Sequence, residues 1–460
     1  MILDKTDNLF TQNTRKILIT TAILAGILCL MLVRWQDGAL KIASLYAMYL
    51  CIMALVILYK NSLNKYEIAI FCFLCIQLFA VVPSTGNLRG AMVSISYILP
   101  YRYGVSSRGL IGTIVSFLTA GGFVSRHFVW HFILSSTVFL SFILSAYIGT
   151  AIQKSKDDTK YFLIFLSLLW LSGFTAPSAY FHHINFGRIE MFALIISFLV
   201  MLIVKKPVIR WLIPLLALAI MATHLILVFF YIPLVAILLF YGIAEKSGAD
   251  KRGIVLLGAT VTSLFIAFFS YIMFARGTFV FENAGDFFEY LSAKTDLSIS
   301  ESALHYALFA SLEDHLIGWR NRVSLRFRGN LSILINIPLV FLFVAFWVKC
   351  FIKETEKIKK VFFLLPMTVL PYHATVFFLF WDFARWMIMI LNVQFLLVFY
   401  LAFVKNKTVL SVVQTVTPFI KRYAFFIALI LLIMIFIGPV TNIYPSDRIM
   451  RVYNFIMPGR

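Results

Sequence analysis

The chain has 460 residues, 62% of them hydrophobic and 17% aromatic, with only 13% charged and a mean hydropathy of +0.93. Soluble domains carry roughly 25% charged residues, so this composition excludes a soluble globular protein and predicts an all-α, polytopic integral membrane protein. The formal charge of +20 is largely accounted for by lysines and arginines flanking apolar runs, so nucleic acid is not an expected partner.

The first apolar run, Ile17 to Val33, follows Arg15 and Lys16. Its sequel, Leu30-Met31-Leu32-Val33-Arg34-Trp35, has no small-residue cleavage site, which predicts a retained helix rather than a signal peptide. Further helices are predicted near 41–60, 66–83, 128–152, 161–178, 190–204, 208–222, 224–244, 253–275, 331–352, 361–381, 386–404 and 422–440. With 16–34 they make about thirteen transmembrane helices in a single domain over 1–460. The apolar run from Pro207 to Gly242 is too long for one span and short for two, and a tight turn at His224 divides it. The five cysteines, Cys29, Cys51, Cys72, Cys75 and Cys350, lie in or beside apolar runs, which argues against a disulfide framework.

Lys60/Lys65, Lys154/Lys156/Lys160, Lys205/Lys206/Arg210, Lys246/Lys251/Arg252, Lys349 to Lys360 and Lys405/Lys407/Lys421/Arg422 fall in alternate loops. The positive-inside bias makes those loops cytoplasmic, with the N-terminus inside and the C-terminus outside. The other set contains two long external connections: an arginine-bearing loop at 84–127, with an interfacial or re-entrant helix over Leu110 to Phe123, and a loop at 276–330 that is mixed in charge and reads as a lid or a solvated excursion.

Candidate functional residues lie in these external segments. Arg89, Arg102, Arg108 and Arg126 share the 84–127 loop, where the topology rule disfavours them. Their guanidinium forks suit phosphate, and Gly104, Gly109 and Gly112 would let backbone approach a bulky anion; pairing with carboxylates or lipid headgroups is the alternative. His182, His183, Arg188 and Glu190 stand at the entrance to a helix. No third ligand at metal spacing accompanies the histidines, so no metal is expected there, and Glu190 can act as a base or pair with an arginine. Asp382 and Arg385 form a third group, three residues apart between Trp381 and Trp386; a local ion pair in an aromatic belt and a ligand site both fit them. His224 and His373, isolated in apolar surroundings, read as packing histidines. Asp37, after the first helix, completes the set of acids at external helix ends.

In helix number, arginine-bearing external loops, a long late external loop and Phe/Ile/Lys-rich composition, the chain resembles bacterial O-antigen and capsule polymerases of the Wzy type, and more broadly multispanning GT-C glycosyltransferases. The resemblance is architectural and covers the whole chain. It implies a bacterial inner-membrane enzyme that transfers glycan from a polyprenyl-pyrophosphate-linked oligosaccharide at the external face during surface polysaccharide synthesis. Membrane lipid and other polysaccharide-assembly membrane proteins are the implied partners, and no cofactor is implied. In the GT-C pattern the catalytic acid lies in the first external loop, where Asp37 is the matching position, without the paired acidic motif common in such enzymes. The implied chemistry needs a carboxylate base, for which Asp37, Glu190 and Asp382 are the candidates, and cations on the departing pyrophosphate, such as Arg102, Arg108 and Arg385. A transporter or flippase for lipid-linked oligosaccharide is the rival expectation; it would place its arginines at mid-membrane depth.

Overall fold

A computed structural model of the protein describes residues 2–60, 62–84, 88, 90–172, 186–246, 248, 250–274, 278–309, 323–374 and 383–437. Every regular element among them is helical, with one isolated bridge between Val124 and Thr295. Among the described residues, seven helices are long and apolar enough to cross a membrane: Thr14–Trp35, Gly38–Lys60, Arg126–Lys154, Leu225–Glu245, Lys251–Phe274, Asn336–Lys353 and Arg385–Phe403. An eighth span arises if Lys407–Arg422 and Ala424–Met434, bent by 86° at their junction, count as one. The number expected from apolar runs was about thirteen. Part of the difference is length: the runs near 190–204 and 208–222 fold as Glu190–Ile203 and Ile209–Thr223, about 20 Å each at the α-helical rise and short of a hydrocarbon core of roughly 30 Å. The helices Asp157–Ser172, Lys357–Ala374 and Ala424–Ile437 run up to residues outside the described set.

Burial shows which helices hold the centre. Of the residues in each apolar window, 94% are buried in Arg385–Phe403 and 78% in Arg126–Lys154, against 6% in Thr14–Trp35 and 11% in Gly38–Lys60. Central helices are therefore apolar all round, and peripheral ones leave Leu24, Leu28, Phe265 and Met273 exposed for lipid. The centre is also pinned by polar side chains. On the helix Phe383–Phe403, Asn392 Oδ1 accepts the Trp170 indole N–H at 2.7 Å and Gln394 Oε1 accepts that of Trp347 at 2.7 Å. In hydrocarbon an unmet donor is costly, so each bond fixes one neighbouring helix in register.

We number the helices that build the two faces as α1 (Ile2–Trp35), α2 (Gly38–Lys60), α3 (Lys65–Val81), α4 (Ala91–Ile98), α5 (Gly109–Leu118), α6 (Arg126–Lys154), α7 (Asp157–Ser172), α8 (Glu190–Ile203), α9 (Ile213–Thr223), α10 (Tyr231–Glu245) and α11 (Lys251–Phe274). Lysine-bearing ends gather on one face. Lys205 pairs with Glu245 at 3.0 Å and Lys421 with Asp158 at 2.6 Å. Lys60 pairs with the buried Glu67, which also accepts from Thr150 at 2.6 Å. On the same face Arg210 Nη1 lies 2.9 Å from Asp250 Oδ2, joining the segment before α9 to the connection between α10 and α11. The two are therefore a hairpin, and His224, extended at φ −162, is its tip, as the sequence predicts.

The opposite face is built by the 90–126 segment and the described part of the late loop. Their bonds are specific: Val105 N–H donates to Thr278 Oγ1 at 2.7 Å, Val280 N–H to the Tyr103 carbonyl at 3.1 Å, and Val124 N–H to the Lys294 carbonyl at 2.9 Å. Arg126 Nη2 donates to the Asp296 carbonyl at 2.6 Å. Residues 278–309 are thus docked on the 90–126 segment. The helix expected over 110–123 is α5, ended by Ala120 and Gly121 at φ 51 and 73.

Candidate functional site

Four candidate residues from three separate stretches of sequence come together at the end of the α9–α10 hairpin. Glu190 opens α8 and is 1% exposed. Its Oε1 lies 3.2 Å from Nη1 of Arg385, itself 5% exposed. Arg108, Arg385 and Arg188 also lie near enough to the His224 ring for their charges to bear on it. Charged side chains gathered this way in a low-dielectric setting are kept for function more often than for stability.

Backbone chemistry explains why these side chains meet. Tyr97 on α4 donates its hydroxyl to the Gly187 carbonyl at 2.7 Å, fixing the turn that carries Arg188. Gly187 has φ 89, and a Cβ there would come within 2.8 Å of Ile133 Cδ1, so only glycine lets this turn close against α6. The hairpin tip is held from the other side. Ser107, next to Arg108, accepts from Leu225 N–H at 3.1 Å, and Tyr101 donates to the Ala222 carbonyl at 3.0 Å. Arg385 stacks over Trp386 at 4.2 Å, whose ring lies parallel to Phe230 at 5.3 Å. The glycines at 109 and 112 serve packing: an added Cβ would strike the Tyr101 ring in the first case and the Leu99 backbone in the second. They bring the chain onto itself, where the sequence reading had them approach an anion.

His224, which its apolar surroundings in the sequence mark as a packing histidine, belongs to the cluster. Its Nδ1 accepts Ile226 N–H at 3.2 Å, so a neutral ring carries its proton on Nε2. That Nε2 is buried without a hydrogen-bond partner among the described residues. The Glu190 oxygens likewise carry no hydrogen bond among the described residues. The only sequence signal for His224 was its place at the break of an over-long apolar run.

Other candidates lie elsewhere. Arg102 is exposed, donates to Tyr103 Oη at 2.6 Å and stacks on that ring at 4.7 Å. Asp37 is at the surface in the α1–α2 turn, its side chain 98% exposed and 3.4 Å from Lys41. Arg89, His182, His183 and Asp382 lie outside the described residues.

Beside the cluster is a cleft of about 300 Å³ lined by Tyr101, Ser107, Ala222, Leu225, Tyr271 and Phe274 among others. Its walls are the segments that carry Arg108 and His224, together with one face of α11. No known protein family, curated protein or solved structure matches the chain.

Proposed function

We propose that this protein is a membrane-embedded glycosyltransferase of the polysaccharide-polymerase kind, using a polyprenyl-pyrophosphate-linked glycan at the non-cytoplasmic face of a bacterial inner membrane. The supporting observation is the buried Glu190–Arg385 ion pair, with the half-buried Arg108 and Arg188 near His224. In this reading the arginines bind the pyrophosphate, and His224 Nε2–H is a further donor. The Glu190 carboxylate takes the proton of the acceptor hydroxyl as its oxygen attacks the anomeric carbon. The bond from that carbon to the phosphate oxygen breaks, and the diphosphate leaves with the electron pair into the guanidinium cluster. The apolar cleft beside Arg108 suits a lipid-borne donor. In this reading the chemistry sits below the outer surface, because Glu190 and His224 lie at the lysine-distal ends of helices about 20 Å long or less. The thirteen-helix topology, with the C-terminus outside, belongs to this same reading.

The recessed position also favours a second reading, a flippase for lipid-linked oligosaccharide, which likewise needs cations at depth. The lipid-linked glycans of a deletion strain separate them. A lost polymerase leaves single repeat units exported on their carrier, the expected result. Precursor trapped on the cytoplasmic leaflet would favour the flippase, and an unchanged profile would remove both.

A further inference from the structure

At the start of α6, His127 and His131 are one helical turn apart and so share a face. Their Nε2 atoms are 3.2 Å from each other, with the rings nearly perpendicular at 80°. On its other nitrogen, Nδ1, His131 meets Tyr46 Oη of α2 at 2.7 Å. Trp130 packs edge-on against the His131 ring at 4.9 Å and touches Phe186 with ring centroids 5.9 Å apart. It stands between the histidine pair and the turn that carries Arg188.

This geometry fits an ion. A neutral imidazole has one donor nitrogen and one acceptor. When His131 Nδ1–H donates to Tyr46 Oη, its Nε2 lone pair faces the Nε2 of His127. Zinc–imidazole bonds are about 2.0–2.1 Å, so two nitrogens 3.2 Å apart subtend roughly 100° at a shared ion, close to tetrahedral. Metal-binding histidines commonly give their second nitrogen to an outer partner that fixes tautomer and orientation, the place Tyr46 holds here. We propose that His127 and His131 chelate a divalent transition-metal ion of the Zn²⁺ type at the lysine-distal end of α6. Tyr46 sets the His131 tautomer, and the remaining coordination positions are open to water. Neither histidine belongs to the Glu190 cluster, so this site stands independently of the glycosyltransfer reading.

The test is Zn²⁺ titration of the purified full chain in lipid nanodiscs, in competition with a chelating fluorophore. His127→Gln and His131→Gln should each weaken binding at least about tenfold, and Tyr46→Phe by a smaller factor of the kind outer partners give. His305→Gln, a control away from α6, should bind as the native protein does. X-ray absorption on the Zn²⁺-loaded native chain, which needs no variant, should find two imidazole nitrogens in the inner shell. Unchanged affinity in both histidine variants, or an inner shell containing thiolate sulfur, would overturn the assignment.

Discussion

At the residue scale the decisive contrast is between Arg102 and Arg108. They lie six positions apart, and the sequence offers them as equals. In the fold Arg102 leans on the Tyr103 ring at the surface, whereas Arg108 acts on His224 beside Arg188 and Arg385. Arg108→Ala should therefore lower glycan transfer by about a hundred-fold or more, the scale set by losing a positioned charge donor in a dry site. Arg102→Ala should leave transfer within about threefold, since exposed side chains seldom matter by more. Lysine at 108 should restore only part of the loss, because it lacks the bidentate fork. Glu190→Gln keeps size while removing the base and should nearly abolish turnover with donor binding retained. Asp37→Asn, at an exposed acid paired only locally with Lys41, should turn over normally. Transfer assays on nanodisc-held variants, normalised to inserted protein, check both pairs; full activity in Arg108→Ala or Glu190→Gln would remove this cluster from the mechanism.

At the scale of elements, capping chemistry and ion pairs decide where helices begin and how they dock. Asp250 precedes α11, accepts Gly253 N–H at 3.0 Å as an N-cap and pairs with Arg210 at 2.9 Å. The Arg210 guanidinium holds its carboxyl down at about 2. Its folded value lies below the ordinary carboxylate range, so the contribution is present above that range and is lost as pH falls towards 2. Asp250→Asn keeps the cap and deletes the pair, and should cost about 1.5–3 kcal/mol, as charged hydrogen bonds do. Asp250→Ala should cost about 1 kcal/mol more through the cap. Thermal unfolding in detergent reads both, and the gap between native and Asn proteins should close on acidification. Arg210→Ala should lose stability in the same way, so it is more than a topology charge. The helix Lys407–Arg422 is an element the sequence could have yielded. Val409, Val412, Val413, Thr417 and Ile420 are its buried residues, spaced as one face of a helix, yet their low apolar density hid them from a search for spans. Apolar runs mark α8 and α9 as helices, and what they do not give is that both are too short to span.

On the scale of the whole molecule, the division into a lysine face and a docked-loop face predicts orientation. Reporters fused after Lys156 and Lys357 should read cytoplasmic, and those within 290–315 external. An external signal at Lys156 would invert the orientation and put the Glu190 cluster on the cytoplasmic side. Much of this architecture is legible in the chain, because lysine placement and apolar length act locally. The meeting of Arg108, Glu190, His224 and Arg385 is not, since it depends on Gly187 closing on α6 and on Ser107 bonding Leu225, contacts between distant parts of the chain. The hairpin of α9 and α10 also bears on how the protein is made. Between Arg210 and Glu245 the sequence has no Asp, Glu, Lys or Arg, and its tip carries a single histidine. As the nascent chain leaves the ribosome, the two arms can enter the bilayer together from the lysine side, with no charged loop to drag through hydrocarbon. A lysine or aspartate introduced at the tip would burden this translocation step before it touched any catalytic one.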